Sequence, residues 1–336
     1  MKVGRDELMV LLNNLYEKNP DFEIKTKLKI DEKDSSLASV DLKDDRAKVT
    51  VMDENKYSEL TFEHEEILPD YSNYVTSLVS AGVLKLEEWD KQYNKIANEF
   101  KKSIYERQRP LYVSFDTNCF INRISYQLDR YVKQGVFVVA DGVRKELFKE
   151  VAGKYSEYEL RRLTQKDGRF KQFLNQPKVR ERIKKIGKAE YDRFKKNVTL
   201  EEIPSGTGDN EIAEALGNFA RARNCDVWLI TLDKTMYEIA AGFGVKPILF
   251  EFPKVHERKI RTDWENVCDL IYTMAVIFGF INISGIHVFG IWKGKNPDDW
   301  NEERVLITDG NKKIFEKIEK DFVVLRALNE ISSNTN

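Results

Sequence analysis

The stretch Val227–Ala240, VWLITLDKTMYEIA, decides how this chain is read. Val227–Leu232 is an uncharged apolar run of strand length, Asp233 closes it, and Thr235–Phe243 reads as a helix. Working outward, Asn210–Arg223 forms a long amphipathic helix upstream. Downstream, Gly244 leads into a strand at Lys246–Phe250. Further back the rhythm repeats. Leu111–Phe115 and Val136–Ala140 read as strands. Thr117–Gln134 carries Ile121, Ile124, Leu128 and Val132 at helical spacing, and a helix begins at Val143. Strands that alternate with helices imply an α/β fold with a parallel sheet, helices on both faces and uncharged strand interiors.

Residues 154–206 interrupt this rhythm with basic helices punctuated by Gly168, Pro177 and Gly187. The formal net charge of the whole chain is -1, but residues 154–200 hold 15 Lys/Arg against 6 Asp/Glu, while residues 1–100 hold 14 against 22. A basic block neutralises phosphates, so Arg161, Arg162, Arg169, Lys171, Arg180, Arg182, Lys184, Lys185 and Lys188 are candidate nucleic-acid contacts. Tyr155, Tyr158, Phe170 and Phe173 interleave with them, and the two phenylalanines read better as a small helical core. Three regions follow: an acidic α+β module at 1–108, the α/β domain at 109–253 with its basic insertion, and an α+β region at 254–336.

In the first region, Arg5–Glu17, Tyr71–Val83 and Glu87–Tyr105 read as helices, and Glu23–Ile30 and Ala47–Met52 as strands. In the last, a polar loop at Lys293–Glu303 precedes a strand at Arg304–Thr308 and a helix at Lys312–Lys320. Ser332–Asn336 reads as disordered. Leu270–Trp292 carries no charged residue and is long enough to span a bilayer. Its polar residues and glycines favour a buried helix at Trp264–Gly279 followed by an alternating strand at Ile281–Trp292. Cys119, Cys225 and Cys268 are odd in number and widely spaced, and three histidines form no zinc pattern. A reducing, cytoplasmic setting is therefore expected, and the mixed polar start at Met1–Leu8 reads as no leader.

Four acids fall where an open parallel sheet places its site, at the carboxyl ends of strands. Asp116 ends LYVSF, Asp233 ends VWLITL, Glu146 is expected in the first turn of the helix after VFVVA, and Asp209 opens NEIAEALGNFARA. Singly, each has an ordinary explanation as a turn residue, an N-cap or a solvated helix charge. Jointly, four such positions at successive strand–helix junctions point to chemistry. Clustered carboxylates repel one another unless a cation joins them, and hard oxygen donors suit Mg²⁺ or Mn²⁺. Such a cation activates water against a phosphodiester and neutralises the leaving oxygen. Asp226 reads as a turn residue and Asp141 as a supporting acid.

SFDTNCFINR at 114–123, GVRKEL at 142–147, GDNEIAEAL at 208–216 and VWLITLDKTMYEIA together resemble the PIN-domain nucleases in order and content. The resemblance covers about residues 111–250, without the basic insertion or the flanking regions. It implies a PIN-like sheet and a metal site at Asp116, Glu146, Asp209 and Asp233, with Asn118 and Thr231 supporting the acids. It also implies Mg²⁺ or Mn²⁺ as cofactor and single-stranded RNA as the common substrate. Unlike the short toxins of that family, this chain has accessory regions, which suits an endoribonuclease of RNA processing or quality control. Rival readings are a catalytically silent RNA-binding scaffold, a structure-specific DNA nuclease, and a protein tethered to a membrane by Leu270–Trp292.

Overall fold

A computed structural model describes residues 1–25, 36–61, 68–102, 106, 109–128, 136–149, 153–255, 258–308 and 312–333. In chain order, the first strands are β1 (Lys2–Val3), β2 (Asp21–Lys25), β3 (Ser36–Asp41) and β4 (Ala47–Val51). Next come β5 (Leu111–Phe115), β6 (Val136–Ala140), β7 (Leu200–Ile203), β8 (Asp226–Thr231) and β9 (Lys246–Leu249). The last are β10 (Arg258–Thr262), β11 (Phe280–Ile283), β12 (Ile286–Phe289) and β13 (Val305–Thr308). The chain divides into two compact units.

The first unit joins Met1–Leu84, Gly153–Arg182 and Val255–Asn336 around an antiparallel sheet of order β1-β13-β12-β11-β2-β3-β4-β10. The front and rear regions, expected as separate modules, thus share one sheet. Their strands satisfy each other's backbone: β10 pairs with β4 along its whole length and β11 with β2. Either region alone would leave edge N–H and C=O groups open. The strand expected at Glu23–Ile30 is β2, ending at Lys25, and residues 26–35 lie outside the described residues. The core is the helix Trp264–Phe278, buried from Val267 to its end. The Thr273 hydroxyl donates to the Ser77 carbonyl of helix Tyr71–Ser80 at 2.9 Å.

The single strand expected at Ile281–Trp292 is instead a hairpin. Ser284 and Gly285, with φ of 51° and 88°, form the two-residue turn between β11 and β12. Gly290 then passes so close to the core helix that a Cβ would lie 2.3 Å from the Ala275 carbonyl carbon. No helix among the described residues is long and apolar enough to cross a membrane. The polar loop holds a short helix, Pro297–Asn301, capped by Asn296. The last helix runs through Lys312–Ser333, past the expected end at Lys320 and into the segment expected to be disordered. Residues 334–336 lie outside the described residues.

The second unit joins Lys85–Ala152 and Ile183–Lys254 around a sheet of order β7-β6-β5-β8-β9, every pair parallel and the whole flanked by helices. This is the α/β architecture expected. β7 belongs to a segment read as basic insertion; its sequence, LEEI, is short, acidic and mostly half-buried, so no apolar alternation announces it. The insertion is therefore not one piece: Gly153–Arg182 belongs to the first unit and the rest to the second. Phe115, Phe120, Phe137 and Phe194 pack edge-to-face or stacked as the core beside β5 and β6. The helix expected across Thr117–Gln134 breaks after Ile121. Arg123 takes φ of 54°, is fully buried and faces Glu190 at 3.7 Å, before a short turn of helix at Ile124–Gln127. Residues 129–135 lie outside the described residues.

Candidate active site at the switch point of the parallel sheet

Counted within the second unit, the strand order is that of a doubly wound sheet whose direction of winding reverses between β5 and β8. Ligands of open α/β sheets bind in the crevice at that reversal, outside the carboxyl ends of the strands. Asp116 follows β5 directly, and Asp233 lies two residues beyond β8.

Asp116 is buried, and it caps the helix Thr117–Ile121 by accepting the Cys119 N–H at 2.8 Å. Its other oxygen accepts the Thr231 hydroxyl. Thr231, the last residue of β8 and fully buried, also accepts the Asp233 N–H at 2.9 Å. One hydroxyl thus ties the two strand-end acids together. Burial pushes the Asp116 carboxyl above its ordinary range, and the bonds from Thr231 and Cys119 pull it back. Asp233 caps the next helix, accepting the Thr235 and Met236 N–H groups at 2.7 and 3.3 Å.

The helix expected from Val143 begins at Asp141, so Glu146 lies in its second turn and the expectation of a first-turn position is corrected. Without that N-terminal placement, the helix dipole gives Glu146 little support. Its two oxygens are held instead by the Thr117 hydroxyl and, at 3.1 Å, by the Gly208 N–H. Gly208 reaches this bond with φ of 110°, a conformation open to glycine and rarely to other residues. Asp209 follows as the first residue of the helix Asp209–Arg223. Among the described residues its carboxylate accepts no hydrogen bond. Burial, then the charges of Asp233 and Glu146, push it above its ordinary value.

Asp233 and Glu146 therefore act on Asp209 through space, and Asp116 is tied to Asp233 through Thr231. No group of three His, Cys, Asp or Glu among the described residues is arranged to hold a metal ion directly. The donor set fits a hard divalent cation all the same. Mg²⁺ keeps several waters and takes only one or two carboxylates, and Asp209 has oxygens to offer beside two further negative charges.

Asn118 is exposed, and among the described residues its carbonyl, rather than its side chain, is engaged, accepting from Asn122. The supporting residues missed in the sequence are Thr117 and Gly208. Their signal was a hydroxyl directly after Asp116 and a glycine directly before Asp209. Asp141 accepts the Ser205 N–H at 2.8 Å and pairs with Lys145, whose hydrogen bond holds its carboxyl low. Asp226 opens β8, away from the carboxyl end, and pairs with Lys246 at 2.7 Å.

The basic candidates fall in both units. Arg161, Arg162, Lys171 and Arg180 are exposed in the first, and Arg169 there is held by Asp167 and lies over Phe280. Lys184, Lys185 and Lys188 are half-buried in the second. Arg182 is a correction. It is fully buried, donating to the Ile277 carbonyl at 2.7 Å and the Tyr155 hydroxyl at 3.1 Å, and no phosphate can reach it. Phe170 and Phe173 are core, as read.

No protein-family model and no curated protein sequence matches the chain. Among solved structures, it is similar to a domain of a functionally unknown protein from Methanocaldococcus jannaschii DSM 2661. That match has 17% identity and a TM-score of 0.28, over 44% of this chain and 96% of that one, a likeness too slight to carry fold or function.

Proposed function

We propose that this chain is a PIN-type, Mg²⁺- or Mn²⁺-dependent endoribonuclease that hydrolyses RNA phosphodiester bonds in RNA processing or quality control. One observation supports it above the rest: Asp209, without a hydrogen-bond donor among the described residues, is raised by burial and then by the charges of Asp233 and Glu146 at the switch point of a parallel sheet. Acids set against one another in this way are costly without a cation and serve a purpose with one.

Asp209 would hold the ion directly, with Asp233, Glu146 and Asp116 acting through its waters, and the ion when bound would supply a Lewis acid for phosphoryl oxygens and lower the pKa of water. Thr231 sets the separation of Asp116 and Asp233, and Thr117 and Gly208 fix the rotamer of Glu146. Asp209 is the most open acceptor in the cluster, suited to orient an attacking water by taking a hydrogen bond from it.

The test is cleavage of end-labelled single-stranded RNA, with single-stranded and flap DNA beside it, in Mn²⁺, Mg²⁺ or EDTA. RNA cleavage that requires the cation and disappears in Asp116→Asn and Asp209→Asn is expected. Cleavage of DNA alone would change the substrate, and intact RNA and DNA in every condition would refute the nuclease.

A further inference from the structure

In the first unit, the helix Glu157–Lys166 and the 3-10 turn Gly168–Phe173 form one wall of a groove of about 620 Å³. Leu160 and Leu174 are its apolar lining, and Arg161, Lys171 and Lys293 bring three cations to it against the single acid Glu157. All three cations are exposed. Among the described residues, none of the three meets a carboxylate or makes a side-chain hydrogen bond. Nearby, Arg169 is held by Asp167 and Lys178 by Glu159, and the whole chain has one acid more than it has bases, 56 against 55. Three unpaired cations sharing one concavity leave it positive, so its occupant is an anion.

The occupant also has flat apolar parts. Tyr158 is 85% exposed and precedes Arg161 by three residues, which puts it on the same side of the helix, at the rim. An exposed ring beside an apolar floor suits a chain in which phosphates alternate with unpaired bases: bases stack on aromatic and aliphatic surface while cations follow the backbone. A duplex would engage the cations but turn its bases inward, leaving the tyrosine and the leucines unused.

We propose that this groove binds single-stranded RNA, as a site distinct from the four acids and belonging to the other unit. The choice of ligand rests on the ribonuclease reading, but binding here does not depend on cleavage.

The experiment is fluorescence anisotropy of a fluorescein-labelled U15 RNA with the full chain in EDTA, over a series of salt concentrations. The triple variant Arg161→Glu/Lys171→Glu/Lys293→Glu is expected to bind at least 10-fold more weakly. Its plot of log affinity against log salt should be shallower by about 2, since each phosphate contact on a single strand contributes about 0.7. Tyr158→Ala, with charge unchanged, should lose about 5-fold or more. Reversing three exposed lysines elsewhere, Lys18→Glu/Lys85→Glu/Lys91→Glu, controls for net charge. Wild-type affinity in both the groove triple and Tyr158→Ala would overturn the proposal, as would equal losses in the control triple, no binding by wild type, or equal affinity for a 15-base-pair duplex RNA. If wild type binds through the groove yet cuts nothing in Mn²⁺, the groove stands and the nuclease reading falls.

Discussion

Replacing Asp209 with asparagine should make the metal-free protein more stable, although it removes a residue of the proposed active site. Asp209 is partly buried, and it bears unfavourable interactions with Asp233 and Glu146 as well. At a half-exposed position each like-charge interaction is worth about 0.2–1 kcal/mol after screening. The N-terminus of its helix works the other way, by about 0.3–1 kcal/mol. Because the carboxyl nonetheless lies above its ordinary value of 3.8, repulsion and burial win, and the net gain on neutralisation is at most about 1 kcal/mol. For a domain of this size that raises Tm by roughly 1 to 3 °C.

The sign with pH follows from the same shift. A carboxyl whose folded pKa is raised favours folding below its unfolded pKa and loses that advantage as pH rises through the folded value. The gain of Asp209→Asn over wild type should therefore be full at pH 7 and vanish on acidification below about 3.8. Mn²⁺ should reverse the order, because a cation at 10 times its Kd stabilises the wild type by about 1.4 kcal/mol and the variant by less. Differential scanning fluorimetry in EDTA and in Mn²⁺, from pH 3.5 to 7.5, measures all three. A lower Tm for the variant in EDTA at pH 7, a gain that does not shrink with acid, or equal stabilisation of both proteins by Mn²⁺ would refute the repelled-carboxylate reasoning.

Thr231→Val keeps the shape of the buried side chain but removes the donor to Asp116 and the acceptor of the Asp233 N–H. Urea unfolding should show a loss of about 2–4 kcal/mol, with Thr231→Ser restoring most of it. Gly208→Ala forces a side chain onto a φ of 110° and sets its Cβ 3.0 Å from Glu211, at a cost of about 1–3 kcal/mol. It should also weaken Mn²⁺ binding by calorimetry, since the N–H that holds Glu146 moves. Arg182→Met removes a fully buried guanidinium that donates to two helix-terminal carbonyls and Tyr155. It should cost about 2–4 kcal/mol yet leave U15 affinity unchanged at temperatures where the variant is folded.

The amino-acid pattern alone determined the elements that local interactions specify. β5, β6 and the helix Asp209–Arg223 lie where apolar runs and amphipathic spacing place them, within a residue. The acids at strand–helix junctions were legible for the same reason, since a parallel sheet puts its crevice where uncharged strands stop. Long-range pairing was not legible. β7 and β3 carry too little apolar alternation to announce themselves, and they exist because neighbouring strands present open edges. The joining of the front and rear regions in one sheet has the same origin: β4 and β10 pair across more than two hundred residues of sequence. Side-chain roles divided likewise. Nothing local distinguishes Arg182 from Arg161, and only the packing of the core helix decides that one is buried as a cap and the other is open to solvent. Thr117 became a partner of Glu146 because two helices separated by twenty-odd residues start at adjacent strand ends, a proximity that belongs to the sheet order and not to the chain.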